Sequence, residues 1–288
     1  EEATFDSFKG MDIALFAGGS ISKDFAPHAV KAGAVVIDNS SAFRMDPEVP
    51  LVVPEVNPQA ILKHKGIIAN PNCSTIIMVM ALKPIYDLAK IKRVIVSTYQ
   101  AVSGAGKEGI DELDAQVREH SEGREMTANI LPSASAEKHY PIAFNLIPQI
   151  DVFCDNLYTK EEMKMVNETK KIMEDYEMRI TATTIRVPVY RSHSESVNIE
   201  LEKEVDLGAM REALAKFPGV TVQDDPSKQE YPMPLYTSEK DDVYVGRLRR
   251  DESCEKSYNM WVVGDQIRKG AALNTLQIAE TMIKNGWI

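Results

Sequence analysis

The sequence predicts an α/β chain: a parallel, doubly wound sheet at the N-terminal end, followed by an α+β domain. Three observations carry that expectation. Up to residue 73, short apolar runs alternate with helical stretches and polar turns. Beyond it, longer segments rich in Val, Ile and Thr alternate in and out, as half-solvated antiparallel strands do. The last segment returns to a helical apolar spacing.

Met11–Phe16 reads as a buried strand running into Gly18-Gly19-Ser20, then a helix over Lys23–Ala32. Ala34–Asp38 is a second strand, Leu51-Val52-Val53 precedes Pro54, and Gly66–Ala69 is a third strand entering Asn70-Pro71-Asn72-Cys73. An apolar helix, Ile76–Leu88, follows. Arg93–Gln100, Ile180–Tyr190, Ser196–Glu204, Asp242–Arg249 and Asn259–Val263 are expected as strands. Helices fit a start near Glu108, Lys160–Tyr176, Leu207–Phe217 and Lys269–Asn285. The division expected is 1–73, 74–264 and 265–288, tightly packed, without repeats or Pro/Ser-rich linkers.

With 288 residues, 44% apolar and 26% charged, the chain is long enough for a sizeable core. A formal charge of −10 argues against nucleic acid, which wants a basic surface. No run reaches the ~18 apolar residues of a membrane span. With no signal peptide read at the start, the expected compartment is the cytoplasm. Cys73, Cys154 and Cys254 are odd in number and without CxxC spacing, which fits neither a disulfide framework nor a metal site.

Cys73 is the sharpest candidate. A thiol at a helix start feels unpaired N–H groups and the positive dipole end, so a lowered pKa is expected. Its bland alternative is a small buried hydrophobe beside a cap. His193 lies at the end of a strand motif and has the chemistry of a general acid or base. A lone histidine is also commonly a satisfied core or surface residue. Arg186 interrupts an apolar strand and can clamp a carboxylate bidentately, although solvated strand arginines are commonplace, and Arg191 is one candidate for that. Ser103-Gly104-Ala105-Gly106 is a small-residue turn able to approach a phosphate or nicotinamide, weak evidence by itself. Glu161 and Lys164 read locally as an exposed i,i+3 ion pair.

Taken together, Pro71–Thr75, Ser97–Gly106, Arg186–Glu195, Lys138–Asn145, Pro148–Asp151 and Gly270–Asn274 make the chain resemble the aspartate-semialdehyde dehydrogenase family over essentially its whole length. The resemblance implies an incomplete Rossmann-like nucleotide-binding domain plus a catalytic and dimerisation domain of the glyceraldehyde-3-phosphate dehydrogenase-like type. It implies Cys73 as the acyl-carrying nucleophile, His193 as acid/base and Gln100 as the group positioning the intermediates. Arg186 would hold the substrate carboxylate and Glu161 its amino group. Arg44, Asn72 and Lys164 match phosphate-site positions, and Ser103, Gly104 and Asn274 match contacts to NADP. The implied reaction is NADPH-dependent reduction of L-aspartyl-4-phosphate to L-aspartate-4-semialdehyde and phosphate, in lysine, threonine and methionine biosynthesis. A homodimer or homotetramer is implied, with a small-molecule substrate and no metal.

No glycine-rich pyrophosphate turn precedes Met11, and the chain opens Glu1-Glu2-Ala3-Thr4 without Met. The expectation is that roughly the first two βα units lie outside this sequence, leaving only the nicotinamide side of the cofactor grip. Three rival readings stand. One is an N-acetyl-glutamyl-phosphate reductase-like enzyme, disfavoured because Asn72 rather than Gly precedes Cys73. The others are a cofactor-free Cys73/His193 hydrolase and a non-catalytic truncated homologue.

Overall fold

The computed structural model describes residues 2–288. Three parallel strands, β1 (Ile13–Phe16), β2 (Val35–Asp38) and β3 (Ile67–Ala69), form the first sheet in that order. Cover on both faces explains the continuous apolar runs of β2 and β3, whereas Leu15 of β1 is exposed. Helix α1 (Ser22–Lys31) packs Ala26 and Ala29 against Ala14 and Val36 on one side. Leu51 joins this sheet only by a single bridge to Ala69.

The second sheet has six strands: β4 (Ile91–Gln100), β5 (Arg179–Arg186), β6 (His193–Leu201), β7 (Val220–Val222), β8 (Val243–Arg250) and β9 (Ser257–Gly264). They are ordered β5-β4-β6-β9-β8-β7. The sheet is mixed, where the sequence suggested antiparallel strands throughout. β4 pairs with β5 in parallel, as β7 does with β8. The physical reason for the first is the long crossover from β4 to β5 through α3 (Lys107–Ser121) and α4 (Lys160–Met173), which returns the chain in the same direction. β5 ends at Arg186 rather than Tyr190, because Pro188 has no N–H to extend the ladder.

Helix α2 (Cys73–Leu88) runs beneath this sheet and is apolar almost all round, so it is a core helix. Ile76 through Leu82 are all buried, packed against Val94, Val96, Val197 and Ile199. α4 begins with a full capping box between Thr159 and Glu162. α5 (Leu207–Lys216) and the short α6 (Pro234–Thr237) complete this half. After β9 a π-turn, Arg268–Ala272, precedes α7 (Leu273–Lys284). The chain thereby returns to the first sheet, where Ile278, Ala279 and Met282 pack on Ile37, Val52, Ile61 and Ile68. Among the described residues, no helix is long and apolar enough to cross a membrane.

Candidate active site

Strand register builds the site. Gln100 pairs with Arg186 across β4 and β5, and the pairing of Tyr99 with Ser194 brings Gln100 beside His193 on β6. Arg186, Gln100 and His193 therefore form one row across three neighbouring strands, each at a strand end and each buried. His193 opens β6, whereas the sequence suggested a position leaving a strand. Behind this row lies a second on the same face, Thr184, Thr98 and Glu195.

The row faces the start of α2. Asn72 caps that helix, its Oδ1 accepting from the backbone N–H groups of Ser74 and Thr75 at 3.1 and 3.3 Å. Glu161, near the start of α4, joins helix cap and sheet. Its Oε1 accepts from Asn72 Nδ2 at 3.0 Å and from Gln100 Nε2 at 3.2 Å. Its Oε2 accepts from Lys164 Nζ at 3.1 Å, and Lys164 also donates to Asp151 at 3.1 Å. The i,i+3 pair is thus made, but Glu161 is buried instead of solvated as the local pattern suggested. Burial opposes its charge, yet Lys164, Asn72 and Gln100 together hold its carboxyl below the usual range. Lys164 also loses by burial, but Glu161 and Asp151 raise it overall.

Cys73 departs from expectation in its acidity. Burial pushes the thiol up to about 12, and the Glu161 charge adds to that. Arg44 and the Ser74 hydroxyl and N–H act in the opposite direction without prevailing. The helix start favours thiolate, as anticipated, but desolvation wins. Gly270 covers the other side: a Cβ there would lie 3.0 Å from Cys73 Cβ.

His193 accepts at Nδ1 from the Ala101 backbone N–H at 3.1 Å. Burial, then the Arg186 charge, lower its pKa well below the ordinary value, so the ring is neutral near pH 7. Arg186 anchors one arm, Nη1 donating to Ala101 O at 2.7 Å, while its Nε has no protein partner. Burial lowers its pKa, opposed by Glu161 and Cys73. Arg191, by contrast, is partly exposed and paired with Asp265 at 2.6 Å.

Of the phosphate-site candidates, Asn72 and Lys164 both donate to Glu161, while Arg44 is held by other partners. Arg44 donates from Nε to Asn70 O at 2.9 Å, from Nη2 to Asn39 O at 3.0 Å and from Nη1 to Glu168 at 3.3 Å. Burial, countered by Arg44 and Asn72 and reinforced by Glu161, raises the pKa of Glu168.

Of the cofactor candidates, Gly104 lies against the Arg186 and His193 side chains. A Cβ on it would sit 2.7 Å from Arg186 Nη1 and 3.3 Å from His193 Cε1. Ser103 is buried, and Gln266 Nε2 donates to its hydroxyl. Asn274 stands apart. It is completely buried, with Nδ2 donating to Val52 O at 3.0 Å and Asn70 Oδ1 at 2.7 Å, and Oδ1 accepting from Lys269 at 3.0 Å. Both its amide hydrogens are committed within the protein. Among the described residues no cluster of acidic, His or Cys side chains is arranged to hold a metal.

Sequence reading missed two contributors, Gln266 and Glu168. Gln266 also accepts from Ser192 N–H at 2.9 Å, holding the left-handed turn that leads into His193. Glu168 lies seven residues after Glu161 on one helix, a spacing that puts both on one face and is its only sequence signal.

Two sequence profiles match: "Semialdehyde dehydrogenase, dimerisation domain" over residues 82–269 and "Semialdehyde dehydrogenase, NAD binding domain" over residues 1–64. The aspartate-semialdehyde dehydrogenase of Aquifex aeolicus is 58% identical over 98% of this chain and 82% of its own length. The chain belongs to the aspartate-semialdehyde dehydrogenase family. The Bacillus subtilis member of that family is 54% identical, over 99% of this chain and 83% of its own. A crystal structure of aspartate semialdehyde dehydrogenase II from Vibrio cholerae superposes with a TM-score of 0.89 at 48% identity, covering 94% of this chain and 79% of that one. With that family come an oxidoreductase role in amino-acid biosynthesis, an NAD(P)-binding Rossmann-like layer and a dimerisation-type α+β domain, as the motifs implied.

Proposed function

We propose that the chain converts L-aspartyl-4-phosphate to L-aspartate-4-semialdehyde and phosphate, with Cys73 as nucleophile. The observation that carries this is the buried row Arg186–Gln100–His193 facing the helix start at Asn72–Cys73, with Glu161 bonded to both sides. Arg186 receives the α-carboxylate through its free Nε, and Glu161 receives the amino group. Arg44, Lys164 and Asn72 supply the cationic and amide donors for the phosphoryl group, which is how an acidic protein gathers a dianion.

Attack by Cys73 Sγ on the acyl carbon forms a thioester and breaks the carbon–oxygen bond to phosphate. The thiol proton departs with the phosphate, so the high thiol pKa needs no separate base in the protein. His193, protonated at Nε2 when neutral, and Gln100 Nε2 lie 3.4 Å apart and can donate together to the reacting carbonyl oxygen. NADPH, when bound, supplies the hydride that reduces the thioester. Collapse of the thiohemiacetal oxyanion on Cys73 then breaks the carbon–sulfur bond and releases the aldehyde, the departing sulfur taking from solvent the one proton that the reduction consumes while the His193 Nε2–H steadies the oxygen. Ser103 and the bare Cα of Gly104, set against His193 and Arg186, would hold the reactive end of the nucleotide.

Preference for NADP over NAD rests on the family resemblance, and parallel kinetics with the two nucleotides test it. Within the same reading, 1–73 is the nucleotide layer, 74–264 the catalytic and dimerisation domain, and 265–288 the return to the first. A cytoplasmic homodimer or homotetramer completes it. The deciding experiment is phosphate-dependent oxidation of aspartate semialdehyde by C73S, C154S and C254S variants. C73S should lose turnover and the other two should retain it; an active C73S would remove the nucleophile from this assignment.

A further inference from the structure

The inner face of α4 carries two buried carboxylates, Glu161 and, two turns on, Glu168. Glu168 is 1% exposed and has both oxygens committed. Oε2 accepts from the backbone N–H of Asn72 at 2.6 Å, and Oε1 from Arg44 Nη1 at 3.3 Å. These donors are one arm of a guanidinium and one main-chain amide at the start of α2. They are the donor types that a phosphoryl oxygen seeks at a helix start.

Arg44 does not depend on Glu168 for its orientation. Two backbone carbonyls, Asn70 and Asn39, hold its Nε and Nη2. Lys171 fastens the same loop by donating to the carbonyls of Arg44, Asp46 and Val49 at 2.7–2.8 Å. What Glu168 adds is charge. It pairs the Arg44 cation from within the protein and sets a negative group beside the place where a second anion would arrive. In a water-poor site such a neighbour acts far more strongly than at the surface.

We propose that Glu168 is an internal counter-anion that limits phosphate affinity at Arg44 and Asn72. An arriving phosphoryl group shares a cation that is already paired, so phosphate freed by acyl transfer leaves instead of remaining bound. Glu168 acts through Arg44, and the inference rests on the reading of Arg44 and Asn72 as the phosphate side of the site.

Glu168→Gln tests it, because the amide keeps volume and an oxygen for the Asn72 N–H while removing the charge. In the oxidative direction phosphate and aspartate semialdehyde are separate substrates, so their KM values can be read independently. Glu168→Gln should lower the KM for phosphate about tenfold, which corresponds to about 1.4 kcal/mol. Product inhibition by phosphate in the reductive direction should strengthen by the same factor, with the semialdehyde KM moving less than about twofold. A loosened fold does not tighten one ligand selectively. A phosphate KM that stays put or rises overturns the inference, provided Arg44→Gln raises it. If Arg44→Gln leaves the phosphate KM unchanged, the phosphate side itself is misassigned and this inference falls with it. Should Glu168→Gln fail to fold, Glu168→Asp, which draws the charge back by one methylene, must still lower the phosphate KM.

Discussion

The backbone N–H of Ala101 donates to Nδ1 of His193 at 3.1 Å. That bond assigns the tautomer, since a ring nitrogen that accepts carries no proton and the neutral ring must carry its proton on Nε2. Burial and the neighbouring Arg186 hold the imidazole neutral. Labelled-histidine 15N spectra should show His193 protonated at Nε2 alone, without titration between about pH 6 and 8. A proton on Nδ1, or a midpoint in that range, would contradict the donor role derived above.

Cys73 should be slow toward iodoacetamide when no substrate is bound. With its thiol at about 12 through burial, the thiolate fraction, and with it the labelling rate, rises about tenfold per pH unit well past pH 9. At pH 7 the exposed Cys254 should be labelled ahead of it. This reverses what the helix start alone suggested. Peptide mass spectrometry over a pH series decides it, and a rate plateau near neutrality would mean that the dipole prevails after all.

Gly104→Ala should be nearly silent in stability and costly in rate. The glycine is exposed and not at positive φ, so the backbone accepts alanine. The new methyl, however, meets Arg186 Nη1 at 2.7 Å and His193 at 3.3 Å. Displacing both groups by a few tenths of an ångström or more should lower kcat/KM by about 10²-fold. Kinetics like the parent chain's, with an unchanged melting temperature, would show that the two side chains yield freely.

Glu195 should make stability fall as pH rises. It is fully buried with neither carboxyl oxygen partnered, and burial raises its pKa well above the ordinary value. The folded chain therefore keeps a proton that the unfolded chain releases above about pH 4.3. Stability contributed by the neutral form is complete below that pH and declines toward the folded pKa, by at most about 1.4 kcal/mol per pH unit. Glu195→Gln should remove that slope, with its advantage over the parent larger at pH 8 than at pH 5. Urea unfolding at the two values measures it; parallel curves would mean that Glu195 is ionised in the fold.

Much of this was legible in the sequence because it is local. Apolar runs fixed β1 to β3, and the Asn72–Cys73 turn into Ile76–Leu82 announced a helix start. What escaped depends on residues far apart in the chain. The acidity of Cys73 is set by burial and by Glu161 from another helix, and Asn72 meets Glu168 across 96 positions. The Asn274 amide is held by Val52 and Asn70, more than 200 positions away in the chain. The direction of β5 followed from a crossover whose length could be read but whose path could not.

The alignment of Arg186, Gln100 and His193 in one row also makes the sheet a ruler. Neighbouring strands stand about 4.8 Å apart, so the backbone origins of the Arg186 guanidinium and the His193 imidazole are roughly two such intervals, about 10 Å, from each other. Ladder hydrogen bonds, not side-chain choice, set that gauge. Substitution along the row can alter what is held at each mark but not the distance between marks.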